Sequence, residues 1–315
     1  MEVALRNDSF YASYGEFRLL NEQRSKKVFV GIRHSDGRYV AVKVEEIFNK
    51  RRTEAAGQYN KGERNNLEQE HAVYRNLHGR GTPHVYWFGR VDGCKAMVMD
   101  LTGPALEELF IYCNRRFSLK TVLMLADQML DRIQTLHDAG YVHRDLTSDT
   151  FVVGIEENIA KVYLVTMKLA SKYIKISGGC RKHIPYGENI EFFGSSYFAS
   201  LNRHLGTVAS RRDDLESYIY ILLYFLKGNL PWQIYGNSNE LEQVLKIKTS
   251  TSIETLCHGL PTEFATVLNY CRTLKFEDKP DYLFIRQLFR DLFNSLTYKE
   301  DWNFDWMSRY CSKQH

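Results

Sequence analysis

Three separated residues carry the strongest chemical signal in the chain: Lys43 closing the strand-like run Val40-Ala41-Val42-Lys43, Glu70 within the amphipathic stretch Leu67 to Leu77, and Asp145 closing Tyr141-Val142-His143-Arg144-Asp145. A strand Lys, a helix Glu and a loop Asp after His-Arg, in that order, are the parts of a phosphoryl-transfer site. The Lys pairs with phosphate oxygens and with the Glu, and the Asp faces the hydroxyl that is to be phosphorylated. As a tripeptide His143-Arg144-Asp145 is a weak signal; its order after Lys43 and Glu70 makes coincidence improbable. The same chemistry needs magnesium, which relies on carboxylates and phosphate oxygens, and a loop whose backbone can approach phosphate closely.

Such residues must be held by a strand, a helix and a rigid loop. From Phe17 to about residue 100 the pattern is strand-like, through Val28-Phe29-Val30, a Ser35-Asp36-Gly37 turn, Tyr39 to Val44 and Ala96 to Met99. A polar, mixed-charge stretch from Glu45 to Asn66, with Lys50-Arg51-Arg52, precedes the Leu67 to Leu77 helix; without aromatic interleaving it reads as a solvated loop rather than a nucleic-acid patch. After Gly103-Pro104 the chain becomes helical. Val122, Leu125, Ala126, Met129, Ile133 and Leu136 recur at helix spacing before a stop at Gly140, and Asp213 to Lys227 is apolar on nearly all sides, as a central buried helix would be. A short β pair, Phe151 to Val153 with Val162 to Val165, follows Asp145. No repeat or low-complexity linker interrupts the chain.

Length and composition fit this. The chain has 315 residues and 44% hydrophobic content, enough for one large unit or two packed lobes, and a formal charge of +4 that argues neither for nucleic acid nor for an acidic membrane. The six cysteines are spread singly, without zinc-like pairs, which fits reduced thiols. The longest apolar run, Tyr218 to Leu226, is about half of a bilayer span, and no signal segment opens the chain, so the expectation is an intracellular protein, cytoplasmic or nuclear, without membrane or nucleic-acid partners.

Further segments carry a family likeness. Met97-Val98-Met99-Asp100-Leu101-Thr102-Gly103-Pro104, Phe117-Ser118-Leu119-Lys120-Thr121, His183-Ile184-Pro185-Tyr186, Ser210-Arg211-Arg212-Asp213-Asp214-Leu215-Glu216-Ser217, Leu230-Pro231-Trp232-Gln233 and Lys279-Pro280-Asp281-Tyr282 resemble the casein kinase 1 family of Ser/Thr protein kinases, and Leu256-Cys257 with Tyr270-Cys271-Arg272 resembles its alpha-type members. The likeness runs from about Phe17 to Trp306. It implies an α+β, two-lobed protein-kinase fold over residues 17–306, with a small β-rich N-lobe (about 17–101), a large helical C-lobe (about 102–306) and terminal extensions at 1–16 and 307–315.

Matched residue by residue, the resemblance implies that Lys43 and Glu70 occupy the phosphate-binding pair, Asp145 the catalytic base and Asp214 the residue bracing its loop. Ala41, Met99, Leu101 and Val152 would be what is left of a nucleotide slot, and His143, Met167 and Tyr74 an internal column of side chains. Other parts are missing. Thr147 stands for the Lys two residues after the base, Thr150 for the Asn that helps hold a second magnesium, Thr166 for the metal-binding Asp, and Lys168 for the following Gly, where it could fill the vacated charge site. A Thr hydroxyl has no charge with which to hold magnesium. Between Phe17 and Gly31 there is no glycine to let amides approach phosphate, though Arg24, Lys26 and Lys27 could attract an anion by charge. Tyr197 and Gly236 replace the Arg and Lys with which the family reads acidic or phosphorylated substrates.

The expectation is therefore a pseudokinase, with no metal site and no required cofactor, that binds protein partners as a scaffold or allosteric regulator. The insertion from Glu45 to Asn66 and the segment Ser177 to Phe193 are the candidate surfaces. Two alternatives are carried: a divergent active kinase that recruits Asp149 or Glu156 to hold metal, and a switch that binds ATP without magnesium and without catalysis.

Overall fold

The period-2 pattern around Lys43 forms a strand whose two faces do different jobs. The structure, a computed structural model, describes residues 8–23, 26–47, 66–233 and 240–312. The chain is mixed α and β and divides into two compact units, Met1–Gly103 with Thr166–Lys168, and Pro104–Val165 with Leu169–His315.

In the first unit, helix α1 (Asp8–Ser13) leads into β1 (Tyr14–Gln23), β2 (Lys26–Arg33) and β3 (Tyr39–Glu46), followed by α2 (Asn66–Leu77), β4 (Val85–Val91) and β5 (Cys94–Asp100). The strands form one antiparallel sheet in the order β1-β2-β3-β5-β4. Val40, Val42 and Val44 enter a buried cluster with Ala96 and Val98, while Ala41 and Lys43 point to the opposite face. Phe10 and Tyr14 lie inside that same cluster, and the Phe10 ring sits 5.6 Å from Phe17 and 5.1 Å from Trp87. Residues 8–16, expected to be an extension, thus supply core to the sheet; each such side chain contributes about 1.5–3 kcal/mol on full burial.

In the second unit the α-helices among the described residues are α3 (Leu106–Tyr112), α4 (Leu119–Asp138), α5 (Leu201–His204), α6 (Arg211–Lys227), α7 (Glu240–Ser250), α8 (Ile253–Cys257), α9 (Thr262–Thr273), α10 (Tyr282–Ser295) and α11 (Asp305–Ser312). Between α4 and α5 run the short strands β6 (Tyr141–Val142), β7 (Phe151–Val153), β8 (Val162–Leu164), β9 (Ser171–Lys172), β10 (Ile174–Ser177) and β11 (Cys180–His183). Ser118 caps α4 by accepting the Thr121 amide, and Gly140, at φ +86°, ends it where the periodicity predicts. Every residue of α6 from Asp213 to Leu226 is buried, as its all-round apolar pattern requires. Helix α11 continues past Trp306, whose ring stacks on Phe304 at 4.5 Å and meets Phe117 at 5.4 Å, and the helix runs to Ser312, within the expected C-terminal extension.

The segment Ser177 to Phe193 opens as a β10–β11 hairpin turning on Gly178 and Gly179, both at positive φ, the backbone that a two-residue hairpin loop demands. Lys50-Arg51-Arg52, most of the Glu45 to Asn66 insertion, Arg24 and Gly236 lie outside the described residues. Among the described residues no helix is long and apolar enough to cross a membrane.

Candidate functional site

The sequence-predicted residues fall into two groups, one in each unit. In the first, Lys43 projects from β3 and Glu70 from α2, and the Lys43 Nζ donates to Glu70 Oε1 at 2.6 Å. The Glu70 side chain is only 7% exposed, so loss of either partner would leave a largely buried charge uncompensated. One helical turn beyond Glu70, Tyr74 sets its hydroxyl as a donor to the same carboxylate and as an acceptor from the Thr166 amide at 3.1 Å. Burial, then the charge of Glu70, pushes the Tyr74 phenol well above its ordinary pKa and keeps it a neutral donor.

Thr166, at the position expected for a metal-binding carboxylate, adopts φ +66°, in the left-handed region that a β-branched residue disfavours. Met167 is fully buried, and Lys168 is partly exposed and forms no ion pair among the described residues. Ala41 and Met99 are direct partners across β3 and β5, both buried, and Leu101 follows the end of β5.

In the second unit Asp214, near the start of α6, organises the segment that carries Asp145. Its Oδ2 accepts the His143 amide at 2.6 Å and His137 Nε2 at 2.9 Å, and its Oδ1 accepts the Arg144 amide at 2.9 Å. Burial opposes charge here, yet His137 and the His143 amide hold Asp214 below the usual carboxylate range. The amide bonds fix Arg144 at φ +71°, and the next residue, Asp145, accepts the Ser195 amide on Oδ1 at 2.8 Å. Gly194 permits that contact: it lies at φ +90°, and a Cβ there would stand 2.7 Å from Asp145 Oδ1. The second Asp145 oxygen carries no hydrogen bond among the described residues and is available to an incoming donor.

The two substituted positions after Asp145 close on each other. Thr150 Oγ1 accepts the Thr147 amide at 3.1 Å and donates to the Thr147 carbonyl at 2.8 Å, while the Thr150 carbonyl accepts the Val165 amide at 2.8 Å. Thr150 is 4% exposed. Neither position offers an ammonium or a carboxamide, and the Thr150 hydroxyl is already engaged. Val152 is buried in β7 opposite Tyr163 and bridged to Ala105.

Sequence reasoning missed a second arrangement. Arg144 and Arg203 hold their guanidinium carbons 4.7 and 4.6 Å from the Phe193 ring centroid, an aromatic side chain shared by two cations. Burial, then the Arg203 charge, lowers Arg144 to about 10. Arg144 and Arg203 stand far apart in the chain, and no local pattern announces the pair.

Taken by chemistry, the first group holds a Lys–Glu pair able to meet an anion, and the second holds an Asp with one carboxylate oxygen not hydrogen-bonded among the described residues. At the positions where the family resemblance implies magnesium ligands, Thr166 supplies no carboxylate and the Thr150 hydroxyl is bonded into the turn after Asp145. Among the described residues there is no group of three or more His, Cys, Asp or Glu side chains suited to a metal ion, and Asp149 and Glu156 form no such group with Asp145. No protein-family model matches the chain.

Proposed function

We propose that this chain is a two-lobed, casein kinase 1-like pseudokinase that acts as a protein-binding scaffold or allosteric regulator and does not transfer phosphate efficiently. The five-stranded unit corresponds to the small lobe in this reading and the helical unit to the large one. The observation that carries it is the closed Thr147–Thr150 pair, in which the Thr150 hydroxyl, at the position where the family resemblance implies a metal-ligand Asn, is occupied by bonds to the Thr147 backbone. Thr166 supports it from the other group, since the residue at the position where the family resemblance implies a metal-binding carboxylate carries none.

The test is phosphotransfer with magnesium and ATP onto a casein-like substrate and onto the protein itself, with Asp145→Asn as control. The reading expects equal background from both proteins. Activity that disappears in Asp145→Asn would overturn it in favour of a divergent active kinase. A second reading, ATP binding without magnesium and without catalysis, draws support from the intact 2.6 Å Lys43–Glu70 pair and from Ala41 and Met99 side by side on the sheet.

A further inference from the structure

A cavity of about 400 Å³ opens in the second unit beside the segment that holds Asp145, within the ~300–1,000 Å³ range of ligand pockets. Its wall takes Thr147 and Asp149 from the turn after Asp145, Tyr197 and Phe198 from the segment after Gly194, and Tyr224 from α6. Ser195 also lines it, and the Ser195 amide is the group bound to Asp145 Oδ1. The cavity therefore shares Ser195 with the Asp145 contact, although Asp145 itself is not part of its wall.

The charges on this wall do not cancel. Glu107 is already satisfied, since Ser148 donates its hydroxyl at 2.6 Å and Tyr224 donates its own at 2.9 Å. The one cation of the wall, Arg115, is committed to the same corner, with Nη1 2.9 Å from the Tyr224 hydroxyl and Nη2 3.8 Å from Glu107. Asp149 is different: it forms no hydrogen bond or ion pair among the described residues. Partial desolvation, followed by the charges of Glu107 and Glu108, raises its pKa, so its ionised form gains from a cation. Thr147 and Tyr197, where the family resemblance implies Lys and Arg, add no positive charge. Two carboxylates thus face one guanidinium that is already engaged, and the aromatic rings of Tyr197, Phe198 and Tyr224 suit the flat face of a further guanidinium.

We propose that this cavity binds a basic side chain, Arg or Lys, from an extended segment of a protein partner, with Asp149 as the ion-pair acceptor. The proposal rests on the non-catalytic reading only in calling that segment a partner rather than a substrate. A charge-assisted pair of this kind loses its strength when the cation is replaced by an isosteric neutral group.

The experiment is fluorescence anisotropy of the full chain with a labelled Gly/Ser peptide carrying arginines, compared with the same peptide carrying citrulline. Citrulline should weaken binding at least about tenfold. Asp149→Asn should do the same with the arginine peptide, Asp149→Glu should retain binding, and Thr147→Lys, which places an ammonium on the wall, should abolish it. Unchanged thermal midpoints confirm that each variant folds. Equal binding of the two peptides, or unchanged affinity after both Asp149→Asn and Thr147→Lys, overturns the proposal. Phosphorylation of the bound peptide with magnesium and ATP would overturn the non-catalytic reading and leave the cavity assignment standing; absence of both binding and phosphorylation would do the reverse.

Discussion

The Thr166 amide donates to the Tyr74 hydroxyl at 3.1 Å, and that hydroxyl in turn donates to Glu70, the partner of Lys43. A position where the family resemblance implies a metal ligand is thereby tied into the Lys43–Glu70 pair through its backbone rather than its side chain.

Tyr74→Phe removes the shared hydroxyl and leaves the Thr166 amide and one Glu70 lone pair without it. Tyr74 is 2% exposed, so water does not readily replace the group. The expected cost is about 1–3 kcal/mol, read as a lower denaturant midpoint at unchanged slope. An unchanged midpoint would mean that the network is not formed.

Thr166 itself holds a left-handed backbone at φ +66°. Asn tolerates this region better than a β-branched residue does, so Thr166→Asn should stabilise the protein by up to about 1 kcal/mol. Thermal unfolding checks this, and a lowered midpoint would contradict it.

Gly194→Ala places a Cβ 2.7 Å from Asp145 Oδ1 at φ +90°. Both the clash and the backbone disfavour it, and the loss should be about 1–3 kcal/mol. Asp145→Ala in the same background should recover part of that loss by removing the atom the Cβ meets, which a purely backbone effect would not show.

Acid should loosen the segment around Ser196. His204 contacts the Ser196 carbonyl and the Lys248 ammonium, each at 3.1 Å, and burial, then the Lys248 charge, lowers it to about 3. Its folded pKa lies below the unfolded value of about 6.5, so its contribution is complete above that value and is lost as pH falls toward 3. Asp213 acts in the opposite sense, since burial raises it to about 6 and acid down to the ordinary carboxylate range favours its folded form. The pH dependence of wild type minus that of His204→Asn isolates the histidine. Between about pH 6.5 and 4 the difference should approach about 1.4 kcal/mol per pH unit. A flat difference would mean that His204 titrates normally.

Much of the first group was legible in the sequence because it depends on short-range periodicity. Alternation along Tyr39 to Val44 puts Lys43 on the face opposite the valines, and helix spacing then carries Glu70 toward it. The long helices and the Gly140 stop were legible for the same reason. The N-terminal aromatics were not: Phe10 and Tyr14 have a helical spacing, but they are buried in a cluster with strand residues such as Val42 and Val98, and the Phe10 ring meets Trp87, far along the chain. Thr147 and Thr150 read only as missing groups, although a Thr three residues after another is a capping pattern that their reciprocal bonds fulfil. The cavity at Asp149 is built from separated segments, around Glu107 and Arg115, Thr147 to Asp149, Ser195 to Phe198 and Tyr224 to Gln233, and no single stretch of sequence encodes it.

Calorimetric titration of the full chain with ATP, with and without magnesium, separates a pseudokinase from a chain that handles magnesium-bound ATP. For the proposed pseudokinase magnesium should bring no gain in affinity, whether ATP binds weakly through the Lys43–Glu70 pair or not at all. A magnesium-dependent tightening of about tenfold or more, lost in Lys43→Ala, would contradict it.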